Sequence, residues 1–146
     1  MGEFLDMPLR YKINEELNMI LYIGHGVLHP SDFYALENSA FVEKHRQPGM
    51  ITLVDALDVS TSFNFGDVQD FFNHLKSMGR KETGPYIMLT LDQGIHLLAR
   101  AANLITGNTE MQIHIYYTLE DVIRAFEWTD HKEEILQFWL ACKSEF

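Results

Sequence analysis

The run Tyr86-Ile87-Met88-Leu89-Thr90-Leu91 is apolar on both of its alternations, and it limits the fold more than any other feature of the chain. Side chains of a strand point alternately to two faces, so a strand apolar on both must be covered on both. It therefore reads as the central strand of a sheet held between layers, which helices supply when strands and helical patterns alternate. The flanking sequence alternates in that way.

Tyr11 to Ile13 and Met19 to Ile23 are short β-type runs joined by Asn14-Glu15-Glu16-Leu17-Asn18, which reads as a hairpin. His29-Pro30-Ser31-Asp32 carries helix-start chemistry, with Phe33, Leu36, Ala40 and Phe41 at helical spacing up to about Lys44. Ile51 to Val54 is a strand expected to end at Asp55, before a polar loop from Asp58 to Ser62. Asn64 then caps a helix with a stripe of Val68, Phe71, Phe72, Leu75 and Met78, stopped at Gly79.

After the central strand, Asp92 caps a helix whose inner face is Ile95, Leu98, Ala99, Ala102 and Ile105. Ile113, Ile115 and Tyr117 alternate in a last strand, and Thr118 with Asp121 opens a further helix that turns Val122, Ala125 and Phe126 inward. The expectation is an α/β domain with a mixed sheet of about five strands: an antiparallel N-terminal hairpin, then parallel strands, with four crossover or flanking helices. Residues 1–129 form this domain, and 130–146 add a C-terminal helix started by Asp130 and Glu133, with Ile135, Phe138, Trp139 and Cys142 on one face. That stripe serves either its own domain or a second subunit, so a homodimer through the C-terminal helix stays open.

Charge and cysteine content restrict the partners. The formal net charge is −10, and the eleven Lys and Arg are scattered apart from the Arg80-Lys81 pair. Such a surface does not neutralise a run of phosphates, so no nucleic-acid partner is expected. No stretch approaches the roughly 18 apolar residues of a spanning helix, so no integral membrane association is expected. One cysteine and no Asn-x-Ser/Thr acceptor fit a reducing, cytoplasmic location.

Several features together carry a family resemblance. Val54-Asp55 closes a strand, about eight residues lead to a Gly-containing helix start, Leu98-Ala99-Arg100 lies in the third helix, and Thr118-Leu119-Glu120-Asp121-Val122-Ile123-Arg124-Ala125-Phe126-Glu127-Trp128 closes the pattern. Over Tyr11 to Trp128 the chain resembles the STAS superfamily, and within it the small bacterial SpoIIAA-like proteins, a fold also compared with CRAL-TRIO lipid-transfer domains. The resemblance implies a non-catalytic binding module that carries a small apolar or lipid-like ligand or acts as a regulatory protein-interaction domain. STAS antagonists are phosphorylated within an Asp-Ser-Ser-Gly stretch that falls here on Phe63-Asn64-Phe65-Gly66. The glycine is retained and the serines are absent.

The residues themselves point to a crevice outside the carboxyl ends of the strands, where open α/β sheets bind ligands. Asp55, Asp58, Ser60, Thr61 and Ser62 border it, followed by Phe63, Asn64 and Phe65, and Asp92, His96 and Arg100 face them. Convergence of Asp55 and Asp92 would make an acid-base or cation site. Their commoner uses are an Asx turn at Asp55 and a helix cap at Asp92, and short hydroxyl residues before a helix are chiefly turn formers. His96, Arg100 and Asn103 share a helical face suited to an anionic ligand or acidic partner, or simply to solvent. His25 and His29 are four apart across Gly26, where that spacing does not bring ligands together. No phosphate-binding, zinc-protease or nucleophile-elbow motif occurs, and Cys142 beside Trp139 reads as packing. No cofactor, metal site or catalytic residue is expected. The alternative is a small enzyme whose Asp, His and Ser meet only in space at the carboxyl ends of the strands.

Overall fold

The computed structural model describes residues 9–29, 49–61, 83–106 and 113–145, together with 32, 45, 47, 66, 67, 69 and 70. Strands β1 (Leu9–Asn14), β2 (Met19–Leu28), β3 (Met50–Thr61), β4 (Thr83–Thr90) and β5 (Ile113–Tyr116) form one sheet in the order β1-β2-β3-β4-β5. β1 and β2 pair antiparallel, and every later pairing is parallel. The helices are α1 (Gln93–Thr106), α2 (Leu119–Ala125) and α3 (Lys132–Lys143), with a 3-10 turn at Thr129–His131 before α3. The helices expected at Phe33 to Lys44 and Val68 to Met78 lie outside the described residues, although Gly66, Asp67, Gln69 and Asp70 are helical.

Alternation along the strands separates two cores. Ile20 and Tyr22 of β2, Val54 of β3 and Tyr86 and Met88 of β4 face α1, which buries Ile95 and Ala99 against them. Met19, Leu21, Ile23, Leu53, Ile87 and Leu89 face the other way and pack on Leu119, Val122 and Ile123 of α2 and on Ile135 and Cys142 of α3. The central strand is thus covered on both faces, as its sequence requires. Leu53, Ile87 and Leu89 are fully buried, and burial of each is worth about 2 kcal/mol. The stripe of α3 serves its own sheet. In α2 the inner residues are Leu119, Val122 and Ile123, whereas Ala125, expected inside, is exposed.

Two irregularities place the later residues. Between Ile23 and His25 of β2, the partner strand advances from Asp55 to Asp58, one residue more than β2 does. This bulge reverses the alternation, so Ala56 and Val59, three apart, both join the core that faces α1. A second bulge, where β3 runs from Met50 to Thr52 and β4 from Thr83 to Tyr86, accommodates Gly84-Pro85. Gly49 is left-handed at φ +75° and its backbone lies so close to Gly84 that a Cβ there would overlap the Gly49 carbonyl.

The strand expected to end at Asp55 does not end there. β3 continues through Asp58, Ser60 and Thr61 because β2 also continues past Gly24 and Gly26 to Leu28, pairing Val27 with Ser60 and Leu28 with Thr61. The polar composition of this stretch reflects a ribbon projecting beyond β4, whose last partner on β3 is Ala56, rather than a loop. Asp130 also differs from expectation. It sits in the 3-10 turn, and α3 starts at Lys132 without a side-chain cap.

Candidate functional site

The carboxyl ends of β2, β3, β4 and β5 lie along one rim of the sheet, since these strands are parallel. Asp92 follows β4 there. Its Oδ1 accepts from the Ile95 N–H at 3.1 Å, capping α1, and from the Thr61 hydroxyl at 2.8 Å. Its Oδ2 accepts from the Thr61 N–H at 3.1 Å, and the Asp92 N–H donates to Thr90 Oγ1 at 3.0 Å. One carboxylate therefore ties the end of the projecting ribbon to the start of α1. Partial burial works to raise the Asp92 pKa, but hydrogen bonds from Thr61 and from the backbone of Ile95 and Gly94 outweigh it and hold the carboxyl below its ordinary value.

Asp55 belongs to the other face. It is 1% exposed and sits at the first bulge, where Oδ1 accepts from the Leu57 N–H at 3.1 Å in the turn its sequence position suggested. Its Oδ2 accepts from the Trp139 indole N–H at 2.6 Å and lies 3.3 Å from Lys143 Nζ. Lys143 also reaches the exposed Asp58 at 3.7 Å and stands 4.8 Å from the centre of the Trp139 ring. This buried carboxylate is the polar key that registers α3 on the sheet. The pairing was invisible from sequence because Trp139 and Lys143 lie more than eighty residues away on a helix that reads as apolar packing.

Asp55 and Asp92 therefore do not share a crevice: one turns to α3, the other to α1. Thr61 and Asp92 are brought together, Asp58 joins Asp55 through Lys143, and Ser60 is exposed on the ribbon. Ser62, Phe63, Asn64 and Phe65 lie outside the described residues. His96 lies against Tyr117 with ring centres 5.6 Å apart and the rings tilted by 35°, and its Nε2 is buried with no hydrogen-bond partner among the described residues. Arg100 is exposed.

The rim carries a feature that the sequence reading missed. Val27 at the end of β2, Leu91 after β4 and Tyr117 after β5 are 59, 62 and 53% exposed, and Leu97 in the first turns of α1 is 66% exposed. The signal was present, as large apolar residues just beyond strand ends. Among the described strands the order adds one at a time in one direction, with no reversal, so they form no switch point of the kind that opens a ligand crevice between diverging connections.

Cys142 is buried, which pushes its thiol up to about 11, and its packing role holds. His114 is half-buried in edge contact with Phe126 at 5.3 Å, and burial lowers its pKa. Among the described residues, no three His, Cys, Asp or Glu side chains gather in a way that could hold a metal ion, and no helix is long and apolar enough to cross a membrane. No family model matches the chain, and no curated protein matches it.

Proposed function

We propose that the chain is a non-catalytic binding module, of the STAS and SpoIIAA-like kind that its sequence resembles, and that it docks a regulatory protein along the rim at the carboxyl ends of its strands. The observation that carries this reading is the set of exposed apolar side chains on that rim, Val27, Leu91 and Tyr117. Scattered apolar residues on a surface are ordinary, but grouping at the ends of three strands of one sheet gives a partner a directed contact. The engagement of Asp55 and Asp92 in structural bonds supports a non-catalytic role, since both carboxylates are occupied in holding helices.

Replacing Leu91 by a photo-crosslinking amino acid, in cells expressing the chain, tests this. A discrete adduct of one mass, lost on Tyr117→Asp, is expected. Adducts no different from those obtained at Leu140, an exposed residue on the outer side of α3, would overturn it.

A second reading has its own observation. A cleft of about 420 Å³, lined by Tyr11, Lys12, Ile13, Glu15 and His45, runs along β1 away from the rim, within the range of small-molecule sites. Tyr11 and Ile13 would supply the apolar contact for a small ligand there. Native mass spectrometry after incubation with a medium-chain fatty acid decides: an adduct lost on denaturation supports this reading, and an unliganded spectrum removes it.

A further inference from the structure

We propose that the cleft along β1 takes an extended peptide, which adds to the sheet as a further strand beside β1 and alternates acidic with apolar side chains. The inference is independent of the rim reading. It deepens the second reading, whose small apolar group becomes a side chain of that peptide. Three observations support it.

The first is where the cleft opens. Neighbouring side chains of a strand point to opposite faces of the sheet, so Tyr11 and Ile13 lie on one face and Lys12 on the other. Accordingly, Tyr11 and Ile13 pack against the core that faces α1, whereas Lys12 bonds Glu145, just beyond α3. A hollow confined to one face would touch only one of these sets. The cleft is lined by Tyr11, Lys12 and Ile13 in succession, so it runs along the edge of the strand, where the backbone lies.

The second is what the backbone offers there. β1 pairs with β2 from Leu9 opposite Gly24 to Asn14 opposite Met19, and it ends the sheet among the described strands. In an antiparallel pair, alternate residues turn N–H and C=O toward the partner strand and the others turn theirs away. One of the neighbours Lys12 and Ile13 therefore presents a donor and an acceptor to the cleft, the template on which a strand adds. A peptide backbone answers both groups, and a hydrocarbon answers neither.

The third is charge. The six residues of β1 include Arg10 and Lys12 and no acid, in a chain of net charge −10. Side chains directly opposite on adjoining strands interact, so an added strand gains from a carboxylate opposite Lys12 and apolar groups opposite Tyr11 and Ile13. The Lys12 side chain is 46% exposed, and an ammonium has three donors, so it can bond a second carboxylate beside Glu145. The same rule disfavours a second copy as occupant: two β1 edges paired antiparallel about a two-fold axis would set the Arg10 and Lys12 cations of each against those of the other.

Fluorescence anisotropy of the full chain with a labelled six-residue peptide alternating Val and Glu tests the proposal. Saturable binding is expected. N-methylation of alternate peptide bonds, on the set that faces β1, should weaken it about tenfold, and methylation of the other set should leave it unchanged. A peptide alternating Val and Lys should bind about threefold more weakly than the Glu peptide, and Lys12→Glu should reverse that order. Tyr117→Asp, which tests the rim, should leave peptide binding as in wild type. No binding up to millimolar peptide overturns the proposal, and a fatty-acid adduct found alongside that result leaves the cleft to a small ligand. Binding that is indifferent to which set of peptide bonds is methylated also overturns it, and this comparison uses the wild-type chain alone. So does an order of Glu and Lys peptides that Lys12→Glu does not alter.

Discussion

Asp55 and Asp92 are the same residue type at the close of two apolar runs, and their surroundings give them different work. Asp92 accepts from Thr61 and from the first turn of α1, and these bonds depress its pKa against the opposing effect of burial. A carboxyl depressed on folding contributes stability that is present above its unfolded value, about 3.9, and lost as pH falls through its folded value. Thr61→Val deletes the bond at 2.8 Å and should cost about 1.5 kcal/mol at neutral pH. The difference from wild type should vanish once Asp92 is protonated, which urea unfolding at pH 7 and at strongly acid pH would reveal. A constant difference at both pH values would assign the loss to packing instead. Gly84 makes a steric prediction. Because a Cβ would meet the Gly49 carbonyl at the β3–β4 bulge, Gly84→Ala should cost about 3 kcal/mol. Gly49→Ala has open space but a positive φ, so its cost is conformational and should be nearer 1 kcal/mol; thermal unfolding of the two variants checks the order.

At the scale of elements, α3 is held by one buried carboxylate as much as by apolar contact. Asp55→Ala leaves the Leu57 N–H, the Trp139 indole N–H and the Lys143 ammonium without their acceptor, and should cost about 4 kcal/mol. Lys143→Ala should cost about half as much, since both hydrogen bonds to the carboxylate remain and the lysine is partly exposed. Urea unfolding followed by tryptophan emission tests the ranking; equal losses would mean that charge pairing, rather than the indole and backbone bonds, seats the helix. The sequence makes the sheet's central strand, the hairpin, the Thr118 cap and the Asp92 cap legible because each is encoded within a few residues. Residues Asp58 to Thr61 mislead because their polarity is that of a loop, while their strand conformation depends on pairing with β2 and on an extra residue in the bulge. The Asp55–Trp139 bond is likewise unreadable locally: periodicity places Trp139 on the inner face of α3 but says nothing of the carboxylate opposite.

For the whole molecule, two electrostatic effects of opposite sign act on stability between neutral and mildly acid pH. The net charge of −10 means that general repulsion weakens as acids and histidines take up protons, which favours the compact state. His114 works in the other direction. Its ring, half-buried on the edge strand β5 against Phe126, has a pKa lowered by burial, so the unfolded chain binds its proton more readily than the folded one. A histidine depressed on folding therefore withdraws stability as pH falls through its ordinary value of about 6.5, and the loss levels off below the folded value. Comparing wild type with His114→Phe separates the two effects, because the substitution leaves the other acids and histidines in place and keeps an aromatic ring against Phe126. The stability of His114→Phe relative to wild type should rise from pH 7.5 to pH 5, measured by urea unfolding at each. A pH-independent difference would mean that the folded protein accepts the proton on His114 as readily as the unfolded chain does, with the imidazolium turned to solvent at the β5 edge rather than held against Phe126.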